Sequence, residues 1–159
     1  MKNASKTAWA AVFVWMSIIF FLSHQPGSES SELSSVITER ILEAAGKISP
    51  AFGASIEAFH TVVRKSAHFI AYLLLGLTAL NALRKSNVKG IRSYAFAFCI
   101  SAAYAMSDEF HQLFISGRSG ELRDVGIDSA GAATGLFLFW AIRKLPFLKK
   151  GSHRKSKNH

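Results

Sequence analysis

Four apolar runs constrain this chain more than any other feature. They are AWAAVFVWMSIIFFL from Ala8 to Leu22, RKSAHFIAYLLLGLTALNAL from Arg64 to Leu83, IRSYAFAFCISAAYAM from Ile91 to Met106 and VGIDSAGAATGLFLFWAI from Val125 to Ile142. Between the last two lies the most polar stretch of the chain, with Asp108, Glu109, His111, Gln112, Arg118, Glu121, Arg123, Asp124 and Asp128 close together. An ionisable group costs roughly 2.5–3.5 kcal/mol at a membrane centre, so such a cluster at helix ends requires either a solvated cap or a polar site at the membrane surface.

The composition fits a small multi-pass membrane protein. The chain has 159 residues, of which 50% are hydrophobic, and it carries 13 phenylalanines. That length supports one domain. Cys99 is the single cysteine and lies inside an apolar run, so it is expected to pack and not to form a disulfide.

A net charge of +9 raises the question of nucleic acid, and the distribution of charge answers it. All 10 acidic residues fall between Glu29 and Glu57 or between Asp108 and Asp128. The segments before the first run, between the second and third, and after the fourth contain no acid and hold 13 of the 19 basic residues. Lysine and arginine favour cytoplasmic loops, so those segments belong inside and the acidic ones outside. The basic balance is topological; the bilayer is the expected partner and nucleic acid is not.

Helix 1 is expected over about 8–24, retained and not cleaved, because SHQPG after the run offers no small-x-small cleavage site. After Pro26-Gly27, Leu33, Val36, Ile37, Ile41 and Ala44 recur at helical spacing with glutamates on other faces, which predicts an amphipathic external helix. Helix 2, about 64–84, carries Lys65, His68, Tyr72, Gly76 and Ala79 along one stripe. Helix 3, about 92–114, places Ser101, Tyr104, Asp108, His111 and Gln112 on one face, with Glu109 about 100° around. Helix 4, about 124–143, aligns Asp124, Asp128, Gly131 and Gly135, so the small-xxx-small pair allows a neighbouring helix to approach below the two acids.

The expected fold class is therefore all-α. It is a membrane domain over residues 1–145 with four transmembrane helices, an external helix between the first two, and both termini cytoplasmic. Residues 146–159 read as a disordered basic tail.

Lys65, Arg118 and Arg123 are candidates to hold a phosphate or carboxylate. His68, Tyr72, Gln112, Asp124 and Asp128 complete the candidate binding set, and Asp108, Glu109 and His111 are the candidate acid–base groups. A divalent metal on His68, His111 and carboxylates is chemically allowed, yet the spacing matches no standard metal motif, so neither a metal nor a cofactor is expected. No nucleophile elbow, P-loop or HExxH motif occurs.

These residues fall into a recognisable order. K-x-x-H-F-x-x-Y at 65–72, S-D-E-x-x-Q at 107–112, G-R at 117–118 and D-V-x-x-D-x-x-G-x-x-x-G at 124–135 resemble the VanZ-like family of bacterial membrane proteins, as does S-x-Q-P at 23–26. Two positions depart from the family pattern: Ser116 where proline is frequent, and Asp128 where asparagine is common. The family takes its name from a member linked to resistance to teicoplanin, a glycopeptide that acts outside the membrane on cell-wall precursors. The resemblance implies an envelope protein that binds or modifies a lipid-linked or wall-derived ligand, with a glycopeptide response as one outcome. Two other classes stay open: a transporter or proton relay, and a structural ion-pair network joining the helices.

Overall fold

The computed structural model describes residues 2–27, 32, 35–37, 40, 53–118 and 120–144, with side chains left aside at 2 and 53–60. Four long helices carry the chain: α1 (Lys2–Ser23), α2 (Gly53–Lys85), α3 (Ile91–Gln112) and α4 (Leu122–Lys144). No strand occurs among the described residues. Most of the expected external helix lies outside the described residues, although Glu32, 35–37 and Arg40 are helical; the basic tail lies outside them entirely.

α1 starts several residues earlier than its apolar run, because nothing in KNASKTA breaks a helix and an exposed polar turn can extend one. α2 likewise runs back to Gly53. α3 stops at Gln112, before Leu113 and Phe114, which lie in the following turn.

α2 is the central helix and packs against all three others. Its closest partner is α4. A Cβ on Gly135 would lie 2.7 Å from the Leu73 carbonyl oxygen, and one on Gly131 would collide with that of Phe69. The two glycines thus let the helix backbones touch, which is how helices associate where lipid removes the hydrophobic driving force. α1 buries Ala8, Val12, Ile19 and Ser23, spaced to form one stripe. Its tryptophans are also tied inward: Trp15 Nε1 donates to the Ala71 carbonyl at 2.9 Å and Trp9 Nε1 to Ser86 Oγ at 3.0 Å. From α3, Tyr104 donates to the Met16 carbonyl at 2.6 Å.

Among the described residues, three helices are long and apolar enough to cross a membrane: Asn3–Ser23, Thr61–Lys85 and Leu122–Lys144. α3 is not among them, since Arg92, Asp108 and Glu109 dilute its apolar character. Its burial pattern is nevertheless reversed relative to a helix in water. Ser93, Ala97, Ser101, Ala105 and Asp108 face inward, while Phe96, Phe98, Met106 and Phe110 face out. Cys99 is exposed on the outward side of this helix, where packing was expected.

Candidate functional site

The polar residues collect at one end of the bundle, where α1 and α3 finish and the chain enters α4. Two backbone features bring these segments together. The Gly27 N–H donates to the Ser116 carbonyl at 3.1 Å, tying the chain after α1 to the α3–α4 turn. Gly117 adopts φ +73° there and lies against Gly27, where a side chain on either residue would be strained or would collide.

Ser23 and Asp108 anchor one side of the site. Both are buried, and Ser23 Oγ donates to Asp108 Oδ2 at 2.9 Å. Tyr72 of α2 adds a long hydroxyl contact to the same oxygen, 3.4 Å. Gln112, one turn beyond Asp108, donates from Nε2 to Ser23 Oγ at 2.8 Å and to Glu109 Oε1 at 3.2 Å. Glu109 Oε2 in turn accepts the Glu121 N–H at 3.0 Å, so the buried carboxylate helps seat the start of α4.

Arg118 closes the arrangement. It donates to the Gln25 carbonyl at 3.1 Å, the Gln112 side-chain oxygen at 3.3 Å and the Leu22 carbonyl at 3.4 Å. Leu22 lies in the last turn of α1, where a helix presents unsatisfied carbonyls and a partial negative charge, and Gln25 follows two residues after the helix ends. Burial, together with the neighbouring charge of Arg64, pulls the Arg118 guanidinium below its ordinary value.

On the opposite wall Lys65 of α2 pairs with Asp124 of α4. Deeper along the same two helices, His68 Nδ1 lies 3.7 Å from Asp128 Oδ2. The resulting cleft is lined by Arg64, Lys65, His68, Glu109, Gln112 and Arg118, with Asp124 and Asp128 completing the α4 wall. Counted out to its open mouth, the hollow takes in about 500 Å³ of space.

Beside it runs an apolar groove between α1 and α2, lined by Ile19, Leu22, Val63, Ala67 and Ala71. Arg64, His68 and Arg118 belong to both hollows.

Three oxygens at the floor stand out: Asp108 Oδ1 and both carboxylate oxygens of Asp128 are buried without a hydrogen bond. Asp108, Asp128 and His68 each bring one ligand atom within 4.8 Å of the others. They come from three different helices.

Of the sequence candidates, Lys65, His68, Glu109, Gln112, Arg118, Asp124 and Asp128 line the cleft, with Asp108 and Tyr72 directly behind it. His111 and Arg123 lie elsewhere. His111 Nε2 meets His24 Nδ1 at 3.0 Å, and its ring stacks on that of His24 and lies tilted beside Phe20 on the α1 side. Arg123 lines a shallow surface hollow with Thr61, Val62 and Ser66. The residues that sequence reasoning did not single out are Arg64, which sits one position before Lys65, and Ser23 and Gln25. Both of the latter belong to the S-x-Q-P segment, the one signal that pointed to them.

Fold and site together define a small helical protein with membrane-crossing helices and a polar cleft at one end of the bundle. The VanZ/LLP1 family model matches residues 8–143. The chain belongs to the VanZ family, and the match takes in all four helices and the cleft. No curated protein and no solved structure matches it.

Proposed function

We propose that the cleft receives the anionic headgroup of a lipid-linked or cell-wall-derived ligand at the outer face of the bacterial membrane. The observation that carries this reading is the sharing of Arg64, His68 and Arg118 between a polar cleft and an apolar groove. A phosphate or carboxylate would meet Arg64, Lys65 and Arg118, while an attached acyl or prenyl chain would lie along Ile19, Leu22, Val63 and Ala71. Arginine suits this task because its planar fork matches phosphate and carboxylate oxygens.

The outward placement follows from charge. The cleft's end of the bundle carries Asp108, Glu109, Glu121, Asp124 and Asp128, and Lys6, Arg84, Lys85, Lys89, Arg92 and Arg143 lie towards the other end with no acid among them, which favours cytoplasmic termini. The outward phenylalanines of α3 support its role as a fourth membrane span. A route through the protein finds less support: below the cleft, Gly76, Gly131 and Gly135 bring α2 and α4 into backbone contact.

Native mass spectrometry of detergent-purified protein tests this reading. Added polyprenyl phosphate should be retained well beyond the uncharged polyprenol, and Arg118→Ala should erase the difference. Equal retention of both lipids would count against a headgroup site.

A further inference from the structure

Two buried carboxylates with unpartnered oxygens beside an imidazole are an expensive arrangement in a membrane protein. Burying a polar atom without a hydrogen bond is unfavourable, and burying a charge without a partner is far more so. Asp128 is 0% exposed and Asp108 2%, and neither has a basic residue within hydrogen-bond distance. Lys65 is engaged by Asp124, and Arg118 by Leu22, Gln25 and Gln112. The three orphaned oxygens therefore lack a positive partner among the described residues, apart from His68, which stands at 3.7 Å.

The geometry points to a divalent-cation site formed by His68, Asp108 and Asp128 at the floor of the cleft. The donor set is one imidazole nitrogen and two carboxylate oxygens, which suits zinc or manganese. Donors about 2.1 Å from one tetrahedral cation lie about 3.4 Å apart, so donors within 4.8 Å of one another close on it by side-chain movements of about an ångström. Asp108 is prepared for the role. Its Oδ2 is held by Ser23 and approached by the Tyr72 hydroxyl, leaving Oδ1 free for the cation. Outer hydrogen bonds of that kind are what orient a ligating carboxylate.

Three protein donors leave coordination positions open, as in metal sites that take a water or a substrate oxygen. His68 and Asp128 also line the cleft, so those positions face the space assigned above to a headgroup. The site itself stands on its own geometry; only its use on a phosphate-bearing ligand rests on the headgroup reading. The spacing of these residues along the chain could not disclose it, because the donors are contributed singly by α2, α3 and α4.

Tag-free full-length protein in lipid nanodiscs, stripped with chelator, is titrated with Mn²⁺ and with Zn²⁺. The expected result is one bound cation per chain, with electron spin echo modulation showing nitrogen coupling from a histidine. Binding should be lost in Asp128→Asn and in His68→Gln and retained in His24→Gln, which alters the His24–His111 contact outside the site. Ser23→Ala should weaken it roughly 10–100-fold by releasing Asp108. No binding of either ion overturns the site, as does binding that survives Asp128→Asn or disappears in His24→Gln. If the variants do not fold, a wild-type Mn²⁺ spectrum with nitrogen coupling still supports the site, and one without it overturns the site. Cation binding without retention of polyprenyl phosphate would leave this site standing and remove the headgroup reading; the converse would remove the site alone.

Discussion

Ser23, the last residue of α1, donates its hydroxyl to Asp108 of α3 at 2.9 Å, and both residues are buried. This contact joins the first helix to the polar end of the third, and through Gln112 it reaches Arg118. Losing it leaves a buried carboxylate short of a donor, which typically costs about 1–3 kcal/mol. Ser23→Ala should therefore lower the thermal midpoint measurably, and Tyr72→Phe should lower it less, because the tyrosine contact is longer at 3.4 Å. Equal losses would mean that Tyr72 carries more of the anchoring than its distance allows.

Asp128→Asn separates a site from a scaffold. Breaking a buried ion pair by removing one partner costs about 3–5 kcal/mol. Asp128 makes no hydrogen bond, so its neutralisation should cost well below that in chelated protein, while any glycopeptide susceptibility change that the wild-type protein confers on expressing cells should disappear. Recovery of folded protein from membranes, scored beside glycopeptide susceptibility, checks both halves. A variant that fails to fold would favour a structural network.

The glycines of α4 differ sharply in what they permit. Gly131→Ala drives a methyl group against the Phe69 carbonyl and should separate α2 from α4, reducing folded yield. Gly126 has nothing within 4 Å of an added Cβ, so Gly126→Ala should be neutral or stabilising by up to about 1 kcal/mol from helix propensity. Thermal unfolding in one detergent compares the two directly.

Arg118 reaches three acceptors on two segments, and no lysine can reproduce that fork. Arg118→Lys should keep the charge and still lose at least roughly tenfold in headgroup retention, equivalent to about 1.4 kcal/mol. Retention equal to wild type would show that charge alone suffices.

Topology is open to the same kind of check. An outside-active reporter inserted in the 115–121 turn should be active, and one at 86–90 or after Lys150 should be silent. Activity after Lys150 would reverse the assigned orientation.

Helix stripes were legible in the sequence where one helix supplied the whole pattern. Lys65, His68 and Tyr72 on α2, and Asp124, Asp128, Gly131 and Gly135 on α4, follow directly from helical spacing. What spacing cannot give is the partner. Ser23 reads as an ordinary polar residue at a helix end, and its acceptor lies 85 positions away. His111 shares a face with Asp108 by arithmetic, yet Phe20 of α1 and His24 just after that helix draw it aside. α3 is the hardest helix to read, because its inward face is small and polar and its outward face apolar.

A structure determined in lipid nanodiscs with added polyprenyl phosphate tests the central claim most directly. Phosphate density is predicted within hydrogen-bond reach of Arg64, Lys65 and Arg118, above Asp128, with the prenyl chain along Ile19, Leu22 and Val63. Lipid density confined to the outer faces of the helices, with ordered water alone in the cleft, would contradict it.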